Sequence, residues 1–218
     1  MPAELAVNSL SKNFGHRQIF ANLTFSVAAG SSLAVVGPSG CGKSTLLNII
    51  GLLESPTSGS VMINGKIMPA ISSSTATKVR RNQINYLFQS FALIGDKTAL
   101  ENAMLALHYT PLSKSDKLSQ IQDLFDNLGL SKVCHEKVST LSGGEQQRLA
   151  LARCVLKPGD LILADEPTGA LDRKLAQQVL KELITLQHDH NKTLVVVTHD
   201  PFVAENCDST LHLVPGAA

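Results

Sequence analysis

The segment GPSGCGKST, from Gly37 to Thr45, combines the residue types that bind phosphate groups. Its pattern, G-x-x-x-x-G-K-[ST], uses glycines so that backbone N–H groups can approach phosphate oxygens, and a following helix adds the positive end of its dipole. Lys43 would neutralise the β- and γ-phosphates of a nucleotide, and Ser44 would offer its hydroxyl to Mg²⁺. A glycine-rich turn without a ligand is the alternative interpretation. The residues predicted to surround the phosphates are Gly37, Pro38, Ser39, Gly40, Cys41, Gly42, Lys43, Ser44 and Thr45.

Two carboxylates end a second apolar segment, LILADE at residues 161–166. Acidic groups at the carboxyl end of a buried strand lie where ligands bind in α/β sheets. Asp165 would hold Mg²⁺, usually through water, and Glu166 would orient and polarise the attacking water. For an isolated Asp-Glu pair, a solvated strand end would be the simpler explanation. The phosphate-binding pattern upstream favours the catalytic role of Glu166. Lys43 is predicted to take part in catalysis as well, through its charge.

The elements around the first segment fit a phosphate-binding loop. The apolar run Ser32–Val36 stops at Gly37 and is predicted to be a strand, and leucine and isoleucine at helical spacing predict a helix from Lys43 to Leu53. Further along, Asn64-Gly65 predicts a hairpin. The small and polar residues 69–79 predict an exposed connection before the next strand.

The overall pattern predicts an α/β fold with a mainly parallel sheet. From about residue 159 apolar strands alternate with helices, which is typical of a sheet covered on both faces. The segment 89–156 interrupts this alternation with helical periodicity and is predicted to be an inserted helical subdomain. The remaining parts, 1–88 and 157–218, would form the core together with a β-rich N-terminal region.

Composition limits the possible classes of function. The 218 residues, 44% of them hydrophobic, suffice for one sizeable domain, and a formal net charge of +1 gives no strong field for nucleic acid or anionic lipid. The cysteines at 41, 134, 154 and 207 lack C-x-x-C spacing, which is typical of reduced cytosolic thiols. No export signal and no apolar run of about 18 residues is visible, so another polypeptide is expected to supply any membrane spans.

The segment LSGGEQQR, from Leu141 to Arg148, resembles the signature of ATP-binding cassette (ABC) ATPases, and the resemblance extends over essentially the whole chain. It implies a P-loop NTPase core of the RecA-like type, an N-terminal antiparallel β subdomain and hydrolysis of ATP to ADP and phosphate. The signature would cap a helix and donate to the γ-phosphate of an ATP held by a second copy of the chain. The residues implied in this contact are Ser142, Gly143, Gly144 and Gln146.

The resemblance implies roles for four more residues. Gln89 matches the Q-loop glutamine, which can ligate Mg²⁺ or position water, and His199 matches the switch histidine near the γ-phosphate. Asp172 matches the D-loop aspartate, which would communicate across the dimer. Phe14 stands at the place of the aromatic residue that stacks on adenine. Phe20 is a competitor for that role, although its alternating strand context favours burial in the core.

Several segments are similar to the MacB/LolD/FtsE-like branch of this family, among them NIIGLLESPTSGS and EPTGALD. The stretch RRNQINYLFQSFALI is further similar to ATPases of bacteriocin-export or antimicrobial-peptide-resistance systems in Gram-positive bacteria. This implies a homodimer at the cytoplasmic face of the plasma membrane, powering a separate permease that handles peptide, lipoprotein or drug-like cargo. The permease would dock near Gln89–Ile94 on Phe91, Leu93 and Ile94, whose burial inside the helical subdomain is an equally good interpretation.

Other functions of such a chain remain as alternatives. DNA-repair relatives insert long coiled coils or zinc modules, and ribosomal relatives carry two cassettes, neither of which occurs in this sequence. A simple P-loop kinase has no use for LSGGEQQR. A regulatory or assembly module of the FtsE type, which binds ATP with little turnover, stays open.

Overall fold

The computed structural model of the protein describes residues 4–88, 90–168 and 173–214, without the side chains of residues 174, 175 and 178. The strands are β1 (Leu5–Phe14), β2 (Arg17–Val27), β3 (Ser32–Val36), β4 (Ser58–Ile63), β5 (Lys66–Ile67), β6 (Ile84–Leu87), β7 (Leu161–Asp165), β8 (Thr193–Thr198) and β9 (Ser209–His212). The helices are α1 (Lys43–Ile50), α2 (Ser74–Asn82), α3 (Ala99–Ala106), α4 (Lys114–Asn127), α5 (Gly143–Leu156), α6 (Arg173–Asp189) and α7 (Pro201–Glu205). Short 3₁₀ turns lie at Ser131–Val133 and Val138–Thr140.

The central layer is a parallel sheet with the strand order β6-β7-β8-β3-β9. Its register pairs Val36 at the end of β3 with Thr198 at the end of β8, and Asp165 at the end of β7 with Val197. Because the strands run parallel, their carboxyl ends share one edge of the sheet. The loops that follow β3, β7 and β8 therefore meet there, and the predicted parallel sheet is confirmed.

Alternate side chains of each central strand enter two different cores. In β3, Leu33 and Val35 belong to the core shared with α1 and the antiparallel sheet, whereas Ala34 faces the core built around α5 and α6. Every residue of β8 is buried. A strand that is covered on both faces needs apolar side chains at nearly every position, which explains the unbroken runs SLAVV and LVVV.

A smaller antiparallel sheet has the strand order β2-β1-β4-β5 and packs against α1. The predicted hairpin is confirmed, since Asn64 and Gly65 connect β4 to β5 with φ angles of 52° and 70°. Both angles belong to the type I′ turn that Asn-Gly favours.

The segment between β6 and β7 is largely helical, as its periodicity predicts, and helices α3, α4 and α5 bury a common apolar core. Gly129 ends α4 with φ 64°, and the Leu130 N–H donates to the Phe125 carbonyl at 2.8 Å. This is the left-handed helix end that glycine permits without strain. Within the described residues, no helix is long and apolar enough to cross a membrane.

Two sequence predictions are wrong in detail. Residues 69–79 do not form only an exposed connection, because α2 begins inside them: the Ser73 side chain caps the helix by accepting from the Ala76 N–H at 3.0 Å. Helix α1 ends at Ile50 rather than Leu53, since Leu52 takes a left-handed φ of 57° and the next two N–H groups turn back to the Asn48 carbonyl.

Candidate nucleotide site

The phosphate-binding loop lies between β3 and α1, where the chain leaves the carboxyl edge of the parallel sheet. Gly40 and Gly42 have φ angles of +78° and +99°, and a Cβ on Gly42 would lie 2.3 Å from Cγ2 of Ile19. A Cβ on Gly37 would lie 2.4 Å from the Leu213 carbonyl oxygen. The glycines at these positions are therefore required by the backbone path and by close packing.

Helix α1 begins at this loop without a side-chain cap and without an acidic residue in its first turn. Its first N–H groups and the positive end of its dipole are therefore directed at the loop without competition from a carboxylate. A cleft of about 420 Å³ lies in front of them, lined by the loop, by Phe14, Arg17 and Ile19, and by Glu166. These are the features of an anion site.

Lys43 is buried, and its ammonium is held by the loop itself. Its Nζ donates to the Gly37 carbonyl at 2.8 Å and to the Pro38 carbonyl at 3.2 Å. The cation is thus held by two carbonyls of the loop beside the cleft, where it can neutralise a polyphosphate.

Ser44 and Asp165 come from different elements and contact each other across the site. The Ser44 hydroxyl donates to Oδ1 of Asp165 at 3.0 Å. Burial raises the pKa of Asp165, and the nearby Glu166 charge adds to this, while the Ser44 hydrogen bond and the Lys43 charge oppose it. A hydroxyl and a carboxylate side by side form the hard oxygen donor set that suits Mg²⁺.

The described residues contain no cluster of three or more His, Cys, Asp or Glu side chains that could hold a metal by itself. Mg²⁺ in nucleotide sites is usually bound by one or two carboxylates together with water and substrate phosphates. Gln89, predicted as a further ligand, lies outside the described residues.

Glu166 and His199 form a pair at the same edge of the sheet. His199 Nδ1 lies 2.9 Å from Oε2 of Glu166, and the histidine side chain is 70% exposed, whereas that of the glutamate is 16% exposed. The Glu166 N–H donates to the Val197 carbonyl at 3.0 Å, and the residue takes a left-handed φ of 45°. The structure therefore brings together five of the predicted site residues: Lys43, Ser44, Asp165, Glu166 and His199. Their roles stay predictions.

The signature segment begins helix α5, and Ser142 is its N-cap. The Ser142 Oγ accepts from the Glu145 N–H at 3.4 Å and donates to Oε2 of Glu145 at 2.6 Å, while the Ser142 N–H donates to the same carboxylate oxygen at 2.8 Å. This reciprocal capping box lowers the pKa of Glu145. Gly143 and Gly144 form the first turn of the helix.

Gln146 lies against its own subdomain, since its Nε2 donates to the Leu141 carbonyl at 3.0 Å and to the Val138 carbonyl at 3.2 Å. Its nucleotide contact stays a prediction. Neither Gln146 nor Ser142, Gly143 or Gly144 is among the described residues that line the cleft at the phosphate-binding loop.

The two aromatic candidates for base stacking lie in different surroundings. Phe20 is 3% exposed and belongs to the core, whereas Phe14 is 50% exposed and lines the cleft. The Lys12 Nζ lies 4.5 Å from the centre of the Phe14 ring and also forms an ion pair with Glu54 at 2.6 Å. Sequence reasoning missed this support, because a lysine and a glutamate so far apart in the chain give no local signal.

Some predicted positions fall outside or only partly within the described chain. Asp172 lies outside the described residues. Phe91 and Leu93 are half-buried and pack against the core of the helical subdomain, while Ile94 is exposed. Phe91 also lines a groove of about 250 Å³. The other residues that line it were not predicted: Tyr86, Phe88, Leu105, Ala106, Ala150, Arg153, Cys154 and Lys157.

A phosphate-binding loop after β3, a carboxylate pair at the end of β7 and a histidine after β8, the strand between those two, define a P-loop nucleotide hydrolase. A sequence model described as ABC transporter matches residues 20–169, and the chain belongs to this family.

Two relatives have comparable identity. MacB of Hahella chejuensis, a macrolide export ATP-binding/permease protein, is 38% identical over 97% of this chain, which covers 33% of that protein. YvrO of Bacillus subtilis, an uncharacterized ABC transporter ATP-binding protein, is 38% identical over 97% of this chain and 94% of its own length. The chain thus spans about a third of the length of the MacB relatives.

Two solved structures of MJ0796, a bacterial ABC transporter cassette, match closely. The dimeric structure has a TM-score of 0.85 at 35% identity and covers 96% of this chain and 94% of MJ0796. A dimeric post-hydrolysis state bound to ADP and Pi gives 0.84 at 34% identity, with the same coverage. The predicted P-loop NTPase fold and the resemblance to the MacB-like branch are confirmed, and the chain is an ATP-hydrolysing cassette of this family.

Proposed function

We propose that this cassette uses ATP hydrolysis to drive a membrane permease in export or in the transmission of force across the membrane. The observation that carries the proposal is that one chain has two separate phosphate-binding elements. The phosphate-binding loop faces the cleft, whereas the capped signature helix does not line it among the described residues. Such a chain completes its ATP sites only when a second copy supplies the missing half.

Two copies would meet head to tail and enclose two ATP molecules. Each ATP would lie between the loop of one copy, at Lys43 and Ser44, and the signature of the other, at Ser142–Gly144. The similarity to dimeric structures of the MJ0796 cassette supports this arrangement. Gln89 and Asp172, matched by sequence, would complete the site. We propose the same boundaries as above, with a helical signature subdomain at 89–156 that closes against the core at 1–88 and 157–218.

The chemistry is an in-line attack of water on the γ-phosphorus, which releases ADP and phosphate. Glu166 would hold the water by accepting its hydrogen bond, and His199, already 2.9 Å from Glu166, would keep that carboxylate in place. Lys43 and the α1 dipole would neutralise charge on the phosphate oxygens. Ser44 and Asp165 would hold a Mg²⁺ ion, which when bound neutralises charge on the β- and γ-oxygens.

The permease would dock at the region Gln89–Ile94, at the cytoplasmic face of the membrane. The exposed side chain of Ile94 and the neighbouring groove with Phe88 and Leu105 support an apolar docking surface. The MacB relatives are named as macrolide export ATP-binding/permease proteins, which supports export of a drug-like cargo. Peptide or lipoprotein cargo is proposed from the sequence resemblance alone.

Reconstitution with its permease tests this function. We expect the ATPase rate of the chain to rise when it is assembled with the membrane protein in proteoliposomes, and to rise further with cargo. A chain that binds the membrane protein without any stimulated turnover would instead favour the regulatory role of an FtsE-type module. The intact pair of Glu166 and His199 favours turnover.

A further inference from the structure

Gln147 connects the signature helix to the loop that carries the hydrolytic carboxylate. It lies on α5 one turn beyond Gly144 and is 1% exposed. Its Nε2 donates to the carbonyl of Pro167 at 2.8 Å, in a fully buried hydrogen bond. Pro167 directly follows Glu166. The side chain therefore joins two segments that are distant in sequence and have different tasks.

The Glu166–Pro167 segment has a backbone conformation that needs support. Glu166 takes φ 45°, which disfavours any residue with a Cβ, and a following proline further restricts the residue before it. Such strain persists only where the surroundings over-determine it. The segment is fixed at two points: the Glu166 N–H donates to the Val197 carbonyl at 3.0 Å, and the Pro167 carbonyl accepts from Gln147.

Packing alone does not explain a glutamine at this place. The Oε1 of Gln147 is buried and has no hydrogen-bond partner among the residues that the structure describes. A buried polar atom without a partner lowers stability, and this cost offsets part of what the hydrogen bond to Pro167 contributes. Within the described part of the chain, the hydrogen bond of the side-chain amide goes to the strained loop.

We propose that Gln147 is a positioning residue that holds Glu166 in its left-handed conformation and so ties the signature helix to the same chain's own hydrolytic carboxylate. The inference rests on the proposed function, in which Glu166 orients water and the signature contacts the ATP of the second copy. When the signature binds one ATP, Gln147 and Pro167 would then transmit the change to Glu166, which faces the other ATP.

The substitution Gln147→Met tests this role, because methionine keeps the length and shape of the side chain and lacks the donor. We expect kcat for ATP hydrolysis to fall about 10-fold, as expected for a misplaced catalytic group, with KM and ATP affinity changed by less than about twofold. The midpoint of thermal unfolding should change little, because the cost of leaving the buried Pro167 carbonyl without its donor is offset by removal of the buried Oε1, which has no partner among the described residues. The readouts are steady-state ATPase, a nucleotide titration and a thermal melt of the full chain with Mg²⁺.

Gln187→Met is the matched control. Gln187 is 4% exposed and donates to the Gly30 carbonyl at 2.8 Å, in α6 and away from the cleft. We expect this variant to lose thermal stability while its kcat stays unchanged. Should Gln147→Met not fold, Gln147→Asn serves instead, since its amide is one methylene too short to reach Pro167.

An unchanged kcat in the Gln147 variants would overturn the proposal. It would also be overturned if the Gln147 variants lost stability and kcat together and Gln187→Met showed the same joint loss. Glu166→Gln, measured in parallel, separates the two levels. If it abolishes turnover while the Gln147 variants remain fully active, only the positioning role fails. If Glu166→Gln itself retains turnover, the hydrolytic assignment fails and the positioning role fails with it.

Discussion

At the scale of single residues, Phe14 has surroundings suited to one-sided stacking. The Lys12 ammonium lies 4.5 Å from the ring centre and is itself held by Glu54, so the ring is supported from one side while half of its surface stays exposed at the cleft. A cation near an aromatic ring is attracted to its π-face and limits its motion. The exposed side of the ring is then available to a base.

Phe14→Leu should weaken ATP binding by about 1–3 kcal/mol, the range that base–aromatic stacking contributes. Phe14→Tyr should bind ATP like the parent chain, because tyrosine presents an equivalent π-face. Fluorescence titrations with an ATP analogue measure both. The affinity for inorganic tripolyphosphate, which has no base, should be the same in all three chains; an equal loss for both ligands would show that Phe14 shapes the loop rather than the base site.

Asp165 illustrates how a site residue can lower stability. Burial raises its pKa in the folded chain, so the folded state binds this proton more tightly than the unfolded state does. The contribution of Asp165 to folding stability is therefore fully favourable below the pKa that it has in the unfolded state. This contribution is lost as the pH rises through the pKa that it has in the folded state. At neutral pH the ionised carboxylate is a net cost to the ligand-free chain.

Asp165→Asn should therefore raise the midpoint of thermal unfolding by a few degrees at neutral pH, and Mg²⁺-dependent ATPase activity should be lost. The gain in stability should shrink as the pH falls through the raised pKa of the parent carboxyl, which then becomes protonated. Thermal melts across this pH range, without nucleotide, measure it. A gain that did not depend on pH would contradict an electrostatic origin.

At the scale of elements, the sequence predicts those whose patterns are local. The strand Ser32–Val36 is predicted to the residue, because an unbroken apolar run has sharp ends. Helix α2 is not predicted, since its serines, threonines and basic residues carry only two buried positions, Ala76 and Val79. Contacts such as Ser44 with Asp165 and Gln147 with Pro167 depend on how strands and helices meet, and no local pattern encodes them.

Helices α4 and α5 offer a matched pair of N-terminal caps. Ser113 in front of α4 accepts from the Asp116 N–H at 3.1 Å and donates to the Asp116 carboxylate at 2.7 Å. Ser142 in front of α5 has the same relation to Glu145. The two serines therefore have equal structural tasks, and only Ser142 belongs to the signature.

Ser113→Ala and Ser142→Ala should each cost about 1 kcal/mol of stability, a decrease of roughly 2–4 °C in the unfolding midpoint for a chain of this size. Only Ser142→Ala should also reduce ATPase activity and ATP-dependent dimerisation, because in the proposed function the Ser142 hydroxyl donates to the γ-phosphate of the ATP held by the second copy. Melts and ATPase assays on both variants measure this. Equal losses of activity in the two would mean that the cap alone, and not a phosphate contact, accounts for Ser142.

At the scale of the whole molecule, the proposed function makes closure of two copies depend on nucleotide. ATP would add contacts to both halves of each site only in the closed dimer, so it would shift a two-state equilibrium toward that dimer by its differential affinity. Hydrolysis removes the γ-phosphate that the signature would contact. Turnover should therefore limit how long the closed state persists.

Glu166→Gln should trap this closed state. The amide keeps the size of the side chain and can still pair with His199, but it cannot take up a proton from the attacking water, so ATP binding remains and turnover is nearly abolished. Light scattering with ATP and Mg²⁺ should then give twice the mass of the single chain. Glu136→Gln, which changes an exposed carboxylate elsewhere, should hydrolyse ATP like the parent. A Glu166→Gln chain that stayed monomeric at saturating ATP and Mg²⁺ would contradict closure by two half-sites, because no hydrolysis would be available to reopen the dimer.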